Sequence, residues 1–121
     1  DCHFPGDEDS QTRHFGLFIE QQLSGIVSIY HKGHPALKGD NLWQIRAMAT
    51  LPALQRRGLG RLLLQSAIDY ALTRGTTRVW CNAREEAVGF YQRCGFQITG
   101  ERFHIEGIGP HYLMYCDIPR K

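Results

Sequence analysis

The segment Gln55-Arg56-Arg57-Gly58-Leu59-Gly60 constrains this chain more than any other. It lies between a strand-forming run at 42–50 and the strongest helical pattern in the sequence. Glycines at such a point permit positive φ and close backbone approach. Pro52 biases Leu51 away from helical geometry, so the strand must stop before the turn. Beyond it, Leu59, Leu62, Leu63, Ser66, Ala67 and Tyr70 recur at intervals of three and four, and Leu64, Ile68, Ala71 and Leu72 thicken the stripe. This predicts a helix over 59–74, covered on more than one side. Gly75 supplies a stop after Arg74. Residues 76–81 follow at once as a strand, which makes a strand–helix–strand unit with a parallel crossover.

The first N–H groups of a helix have no partner within it, and its dipole favours an anion there. Arg56, Arg57 and Arg61 add positive charge. A phosphate or diphosphate fits this environment; the alternative is a tight turn whose arginines point into solvent. The phosphate loop of nucleotide hydrolases needs Lys-Ser/Thr where Arg61-Leu62 stand. The dinucleotide fingerprint needs a third glycine where Leu63 stands.

Around this unit the pattern reads β-β-β-α-β-α-β-β. Strands are expected at 14–20, 23–30, 42–50, 76–81, 96–104 and 111–118, with a second helix at 84–94 stopped by Gly95. The segment 6–11 reads as an exposed acidic loop without calcium-loop spacing. With 121 residues, 42% hydrophobic and 21% charged, the chain is expected to form one globular α+β domain over 1–121. A net charge of +2 is too small for a general nucleic-acid or membrane surface. No apolar run approaches the roughly 20 residues that cross a bilayer, and no signal-peptide pattern opens the sequence. Cys2, Cys81, Cys94 and Cys116 include no CxxC pair and no zinc spacing. They read as small apolar residues in a reducing, cytoplasmic setting, and no metal site is expected.

Two motifs in order carry a resemblance to the GNAT superfamily of N-acetyltransferases. The first is Gln55-Arg56-Arg57-Gly58-Leu59-Gly60, read against Q/R-x-x-G-x-G/A. The second is the stretch from Ala87 to Phe96, AVGFYQRCGF, which is similar to A-x-x-F-Y-x-x-x-G-F. The resemblance runs from about Phe15 to Ile118. Within the superfamily, the tail from Gly107 to Met114 resembles small bacterial enzymes with a G-I-x-P-H-x-x-M ending.

The resemblance implies a mixed, mostly antiparallel sheet with a V-shaped split between two parallel strands, 42–50 and 77–81. Acetyl-CoA would lie in that split. Its pyrophosphate would rest on backbone N–H groups near Arg57, Gly58, Leu59, Gly60, Arg61 and Leu62, with Gln55 and Arg56 alongside. Backbone groups of Met48, Ala49 and Thr50 would hold pantetheine and the acetyl carbonyl. Tyr91 matches the family tyrosine that protonates the leaving thiolate. Asn82 is placed to contact pantetheine or substrate, or equally to cap the helix or the strand end. The family often carries Asn at the position of Arg84.

A general base is less defined. Many members carry a carboxylate on the fourth strand, where this chain offers Arg46, which cannot act as a base at neutral pH. Arg46 is suited to an acidic acceptor or a nearby carboxylate, and strand alternation groups it with Gln44 and Met48. His111, Glu106 and Glu85 are the base candidates; each also has a purely structural reading. The implied reaction is direct acetyl transfer to a small-molecule or peptide amine, without a cysteine intermediate. The rival readings are a CoA-binding regulatory domain without turnover and, more remotely, an RNA-binding domain. The resemblance also implies a strand and a helix ahead of residue 15 that this stretch lacks. Edge strands without that cover favour a homo-oligomer.

Overall fold

The computed structural model describes residues 12–19, 21–39, 41–50 and 58–118. The expected acidic loop at 6–11, Cys2, and the turn residues Gln55, Arg56 and Arg57 lie outside them. The elements are β1 (Thr12–Ile19), β2 (Gln22–His31), β3 (Trp43–Thr50), α1 (Leu59–Thr73), β4 (Arg78–Arg84), a 3-10 turn (Glu85–Ala87), α2 (Val88–Arg93), β5 (Gln97–Ile105) and β6 (Gly109–Asp117). They build a six-stranded sheet in the order β1-β2-β3-β4-β6-β5. Every neighbouring pair is antiparallel except β3 with β4, which α1 connects in parallel. This is the mixed α+β sheet expected from the sequence.

Alternation along the strands divides the residues between two faces. Val27, Ile29, Trp43, Ile45, Val79, Cys81 and Met114 point to the face that carries both helices. There they pack with Leu63, Leu64, Ala67, Ile68 and Ala71 of α1, with Tyr91 of α2 and with Phe96. Each fully buried aliphatic side chain of this kind contributes about 1.5–3 kcal/mol. The opposite face has a smaller cluster of Leu37, Leu42, Trp80 and Leu113. The Trp80 indole N–H donates to the Lys32 carbonyl at 2.7 Å, which ties the β2–β3 loop down over that face.

Three sequence expectations change. Helix α1 is covered on one side only: Leu62 is 61% exposed and Leu72 36%, because no second layer lies over the outer part of the stripe among the described residues. Strand β4 runs on to Arg84 instead of stopping at Cys81, because β6 continues to pair with it through Ala83↔Tyr112 and Arg84↔His111. The second helix is correspondingly shorter, Val88–Arg93 after a 3-10 turn; sheet pairing outweighs local helix preference.

Both helices end as the glycines foretell. At α1, Gly75 has φ +91, its N–H donates to the Leu72 carbonyl and that of Thr76 to the Ala71 carbonyl. At α2, Gly95 has φ +95, its N–H donates to the Gln92 carbonyl and that of Phe96 to the Tyr91 carbonyl at 2.9 Å. This paired pattern satisfies carbonyls that a helix end otherwise leaves bare, and it brings an apolar residue after the glycine back against the last turn. Here that contact is Phe96 on Tyr91, with ring centroids 5.2 Å apart.

Candidate active site

The parallel strands β3 and β4 pair only through Trp43↔Val79, Gln44↔Trp80 and Ile45↔Cys81. Beyond Ile45 and Cys81, β3 continues to Thr50 and β4 to Arg84 with no further pairing between them. The sheet therefore opens into a split at its centre. On its other side β3 stays paired with β2, and the register there slips: Ser28 faces Arg46, whereas Ile26 faces Ala49. β2 advances two residues while β3 advances three, so β3 carries a bulge at 47–48 opposite Val27. Such bulges turn a strand and re-aim its side chains beside functional sites.

The bulge corrects one sequence expectation. Simple alternation groups Met48 with Gln44 and Arg46. The extra residue moves Met48 to the helix face, where it packs on the main core. A methyl group built on Gly60 would lie 3.6 Å from Met48 Cε and 3.5 Å from Phe90 Cε1. The helix start, the bulged strand and α2 thus meet at one side of the split. That convergence joins the two sequence motifs in space.

Gly58 sits at the α1 N-cap with φ +76; among the described residues no side chain caps the helix, and its first turn holds no acid. The Leu62 N–H closes the first helical turn onto the Gly58 carbonyl at 3.2 Å. The N–H groups of Leu59, Gly60 and Arg61 precede that bond, so the helix itself gives them no acceptor. Among the described residues, chain neighbours aside, no atom lies within 4 Å of where a Gly58 side chain would start. This is an open, uncapped and electropositive helix start. A diphosphate suits this start: the first backbone donors have no acceptor within the helix, and Arg61 is exposed in the first turn.

Tyr91 is 6% exposed, with its ring against Phe90 at 5.3 Å and Phe96 at 5.2 Å. Burial raises its phenol above the ordinary range, and neighbouring Cys81 and Cys94 push the same way. Burial also raises the Cys81 thiol. The Cys94 thiol is raised by burial against the opposing effect of Arg61 and Arg93. These cysteines remain neutral thiols at physiological pH, which removes the activation a covalent nucleophile needs.

The other sequence-marked residues fall elsewhere. Asn82 lies inside β4, pairs with Leu113 and is exposed. It does not cap the helix; the residue at that position is Arg84, which makes no capping hydrogen bond. Met48 lies in the bulge of β3, and Ala49 and Thr50 follow it in register with Ile26 and Gly25 of β2. His111 is 4% exposed, and its Nδ1 lies 2.8 Å from the Gly109 carbonyl. A carbonyl only accepts, so Nδ1 carries the hydrogen of this contact. Glu106 stands exposed in the β5–β6 turn. Glu85 is engaged with Arg102 at 3.0 Å. Among the described residues no group of His, Cys, Asp and Glu could hold a metal ion, and no helix is long and apolar enough to cross a membrane.

Sequence reading did not single out Gln44 and Arg84 as candidates for the site. Gln44 is 7% exposed, and its Oε1 has no hydrogen-bond partner among the described residues. A buried glutamine on a strand gives no local signal that distinguishes it from a structural one. The extension of β4, which places Arg84 on the wall of the split, depends on pairing with β6.

Comparison with known proteins agrees with this geometry. The uncharacterized N-acetyltransferase YitI of Bacillus subtilis is 33% identical over 114 residues, covering 94% of this chain and 76% of that protein. The uncharacterized protein YyaT of the same organism is 28% identical over 110 residues, covering 91% and 69%. The crystal structure of an aminoglycoside 6'-N-acetyltransferase complexed with coenzyme A shares the fold. Its TM-score is 0.76 at 13% identity, over 95% of this chain and 78% of that one. Residues 1–96 match the family model described as Acetyltransferase (GNAT) family. With its split parallel strands and uncapped helix start, the chain belongs to the GNAT family of acetyltransferases, which are acyl-CoA-dependent enzymes that use acetyl-CoA.

Proposed function

We propose that this chain moves an acetyl group from acetyl-CoA to an amine by direct attack. The observation that carries this reading is the parting of β3 and β4 after Ile45 and Cys81, with the α1 start and Tyr91 gathered on the helix side of the sheet. Acetyl-CoA supplies the activated thioester. The backbone N–H groups of Leu59, Gly60 and Arg61 hold its diphosphate, and the backbone from Met48 to Thr50 holds pantetheine and the acetyl carbonyl. Backbone donors at that carbonyl stabilise the negative charge that develops on its oxygen as the amine attacks. A new N–C bond forms, the C–S bond breaks, the sulfur takes up one proton and the nitrogen releases one.

Tyr91 is the source of the proton for sulfur. Burial makes its phenol a weaker acid than in water. Its contribution is therefore strongest as a hydrogen bond to the developing thiolate, with the proton passing as the C–S bond breaks. On the acceptor side, His111 directs Nδ1 to the Gly109 carbonyl and leaves Nε2 as the candidate base, whereas Glu106 is exposed in a turn and Glu85 is paired with Arg102. The competing reading, a CoA-binding domain without turnover, is favoured by Arg46, which stands where many family members carry a carboxylate.

Calorimetric titration with acetyl-CoA, CoA and ATP separates these readings when combined with an amine-panel assay for free thiol. Binding of both CoA species but not ATP, with thiol release, supports acetyl transfer. Binding without release across the panel supports the regulatory domain. In Tyr91→Phe, turnover falls more than acetyl-CoA affinity; unchanged turnover, with chemistry rate-limiting, removes Tyr91 from the acid role.

A further inference from the structure

The sheet face turned away from the helices carries groups at the split that acetyl-CoA binding leaves unused. Ile45 faces the helices, so Arg46 faces the other way, one residue past the last pairing of β3 with β4. Its register partner on β2 is Ser28, which hydrogen-bonds His14 on β1. The Arg46 guanidinium lies over the Tyr30 ring at 5.3 Å, a contact that orients a cation without neutralising it. On β4, Cys81 and Ala83 face the helices, so Asn82 and Arg84 share the face of Arg46. Asn82 stands where the strands part, and Arg84 lies two residues further along the wall, in register with His111.

Neither arginine has a carboxylate partner among the described residues. Among the described residues the ion pairs are Arg78 with Asp117 and Arg102 with Glu85. The second engages the acid that directly follows Arg84. Two residues deeper on the same face lies Gln44, with its buried, unpartnered Oε1. A buried acceptor oxygen without a donor is costly unless a ligand or water supplies one. Two guanidinium groups at one opening, neither with a carboxylate partner among the described residues, attract an anion and repel a polycation.

Resting on the acetyl-transfer reading above, we propose that the acceptor is a small amine carrying a carboxylate. Arg46 and Arg84 hold the carboxylate from the two walls of the split, and Gln44 Oε1 accepts a hydrogen bond from a donor on the same molecule. Guanidinium groups suit this task because their planar donor forks match carboxylate geometry and they shed water more readily than an ammonium. Polyamines and other polycationic acceptors are disfavoured by the same charges.

The test measures thiol release from acetyl-CoA by the full chain with amines paired to differ in one carboxylate: glycine and methylamine, 4-aminobutyrate and butylamine, phenylalanine and phenethylamine. Spermidine serves as the polycation. Rates are compared at equal free-base concentration. The carboxylate-bearing member of at least one pair is preferred by about tenfold or more in kcat/KM, and no pair shows the reverse, as expected for a charge-assisted contact. Arg46→Gln and Arg84→Gln each reduce that preference while acetyl-CoA affinity stays unchanged, and Arg46→Lys restores part of it. Circular dichroism confirms that each variant is folded. Preference for spermidine or the uncharged amines would overturn the proposal. So would preference that survives both glutamine variants, or no acetylation of any carboxylate-bearing amine by a chain that binds acetyl-CoA. Failure of the parent chain to bind acetyl-CoA at all would instead overturn the acetyl-transfer reading, and this one with it.

Discussion

The two glycines of the turn do different jobs, and replacing each with alanine separates them. Gly58 has φ +76 and open space around its missing side chain. Alanine there meets no steric obstacle, so its cost is the left-handed backbone alone, about 1–2 kcal/mol. Gly60 is helical, and the methyl of an alanine would lie 3.5 Å from Phe90 and 3.6 Å from Met48, ordinary contact distances. Helix preference then favours alanine by about 0.5–1 kcal/mol. The two variants should differ in stability by about 1.5–3 kcal/mol, with opposite signs relative to the parent. Urea denaturation measures this directly, provided the slope with denaturant is unchanged. In thermal melts, Gly60→Ala should raise the midpoint by about 3–5 °C per kcal/mol gained for a domain of this size. If the diphosphate rests on these amides, Gly58→Ala also weakens acetyl-CoA binding by about tenfold, or about 1.4 kcal/mol, and Gly60→Ala far less. Stability changes of the same sign and size in the two variants would refute the assignment of one glycine to backbone conformation and the other to helix packing.

Other outcomes follow from the core around Tyr91. Phe96→Ala removes the ring that seats Tyr91 and should cost about 3–5 kcal/mol in urea denaturation; a loss under about 1 kcal/mol would show that the Gly95 turn alone fixes that helix end. Tyr91→Phe keeps the ring contacts and should stay within about 1 kcal/mol of the parent, so a large stability loss would point to a structural role for the hydroxyl. The raised thiol of Cys81 carries a pH signature. Its folded pKa lies above the unfolded value, so its contribution is fully present below the unfolded value of 9.0 and is lost as pH rises beyond it. Stability measured from pH 8 to 11 should therefore fall, and Cys81→Ala should flatten the fall; an unchanged slope would assign the loss to other groups, Tyr91 among them.

The two motifs were legible because they encode local backbone demands. Gly58 and Gly95 occupy positive φ, and the spacing of Tyr91, Gly95 and Phe96 describes a helix stop in which ring meets ring across the turn. The apolar spacing of 59–73 located α1, and the segment 42–50 located β3 nearly to its ends. These patterns depend on neighbours in sequence. What depends on neighbours in space was not readable. The bulge at 47–48 exists only as a mismatch between β3 and β2, and it reverses the face on which Met48 lies. The extension of β4 to Arg84 rests on pairing with β6, a strand that begins 25 residues after Arg84 at Gly109. Whether Leu62 is covered, whether Gln44 Oε1 finds a donor and whether Arg46 meets a carboxylate are settled by packing between distant segments. The sequence by itself determined the proposed cofactor end, because a helix start and a glycine turn are local objects. The proposed acceptor end was decided by tertiary structure, because its walls come from β3 and β4, brought together only when the sheet closes around α1.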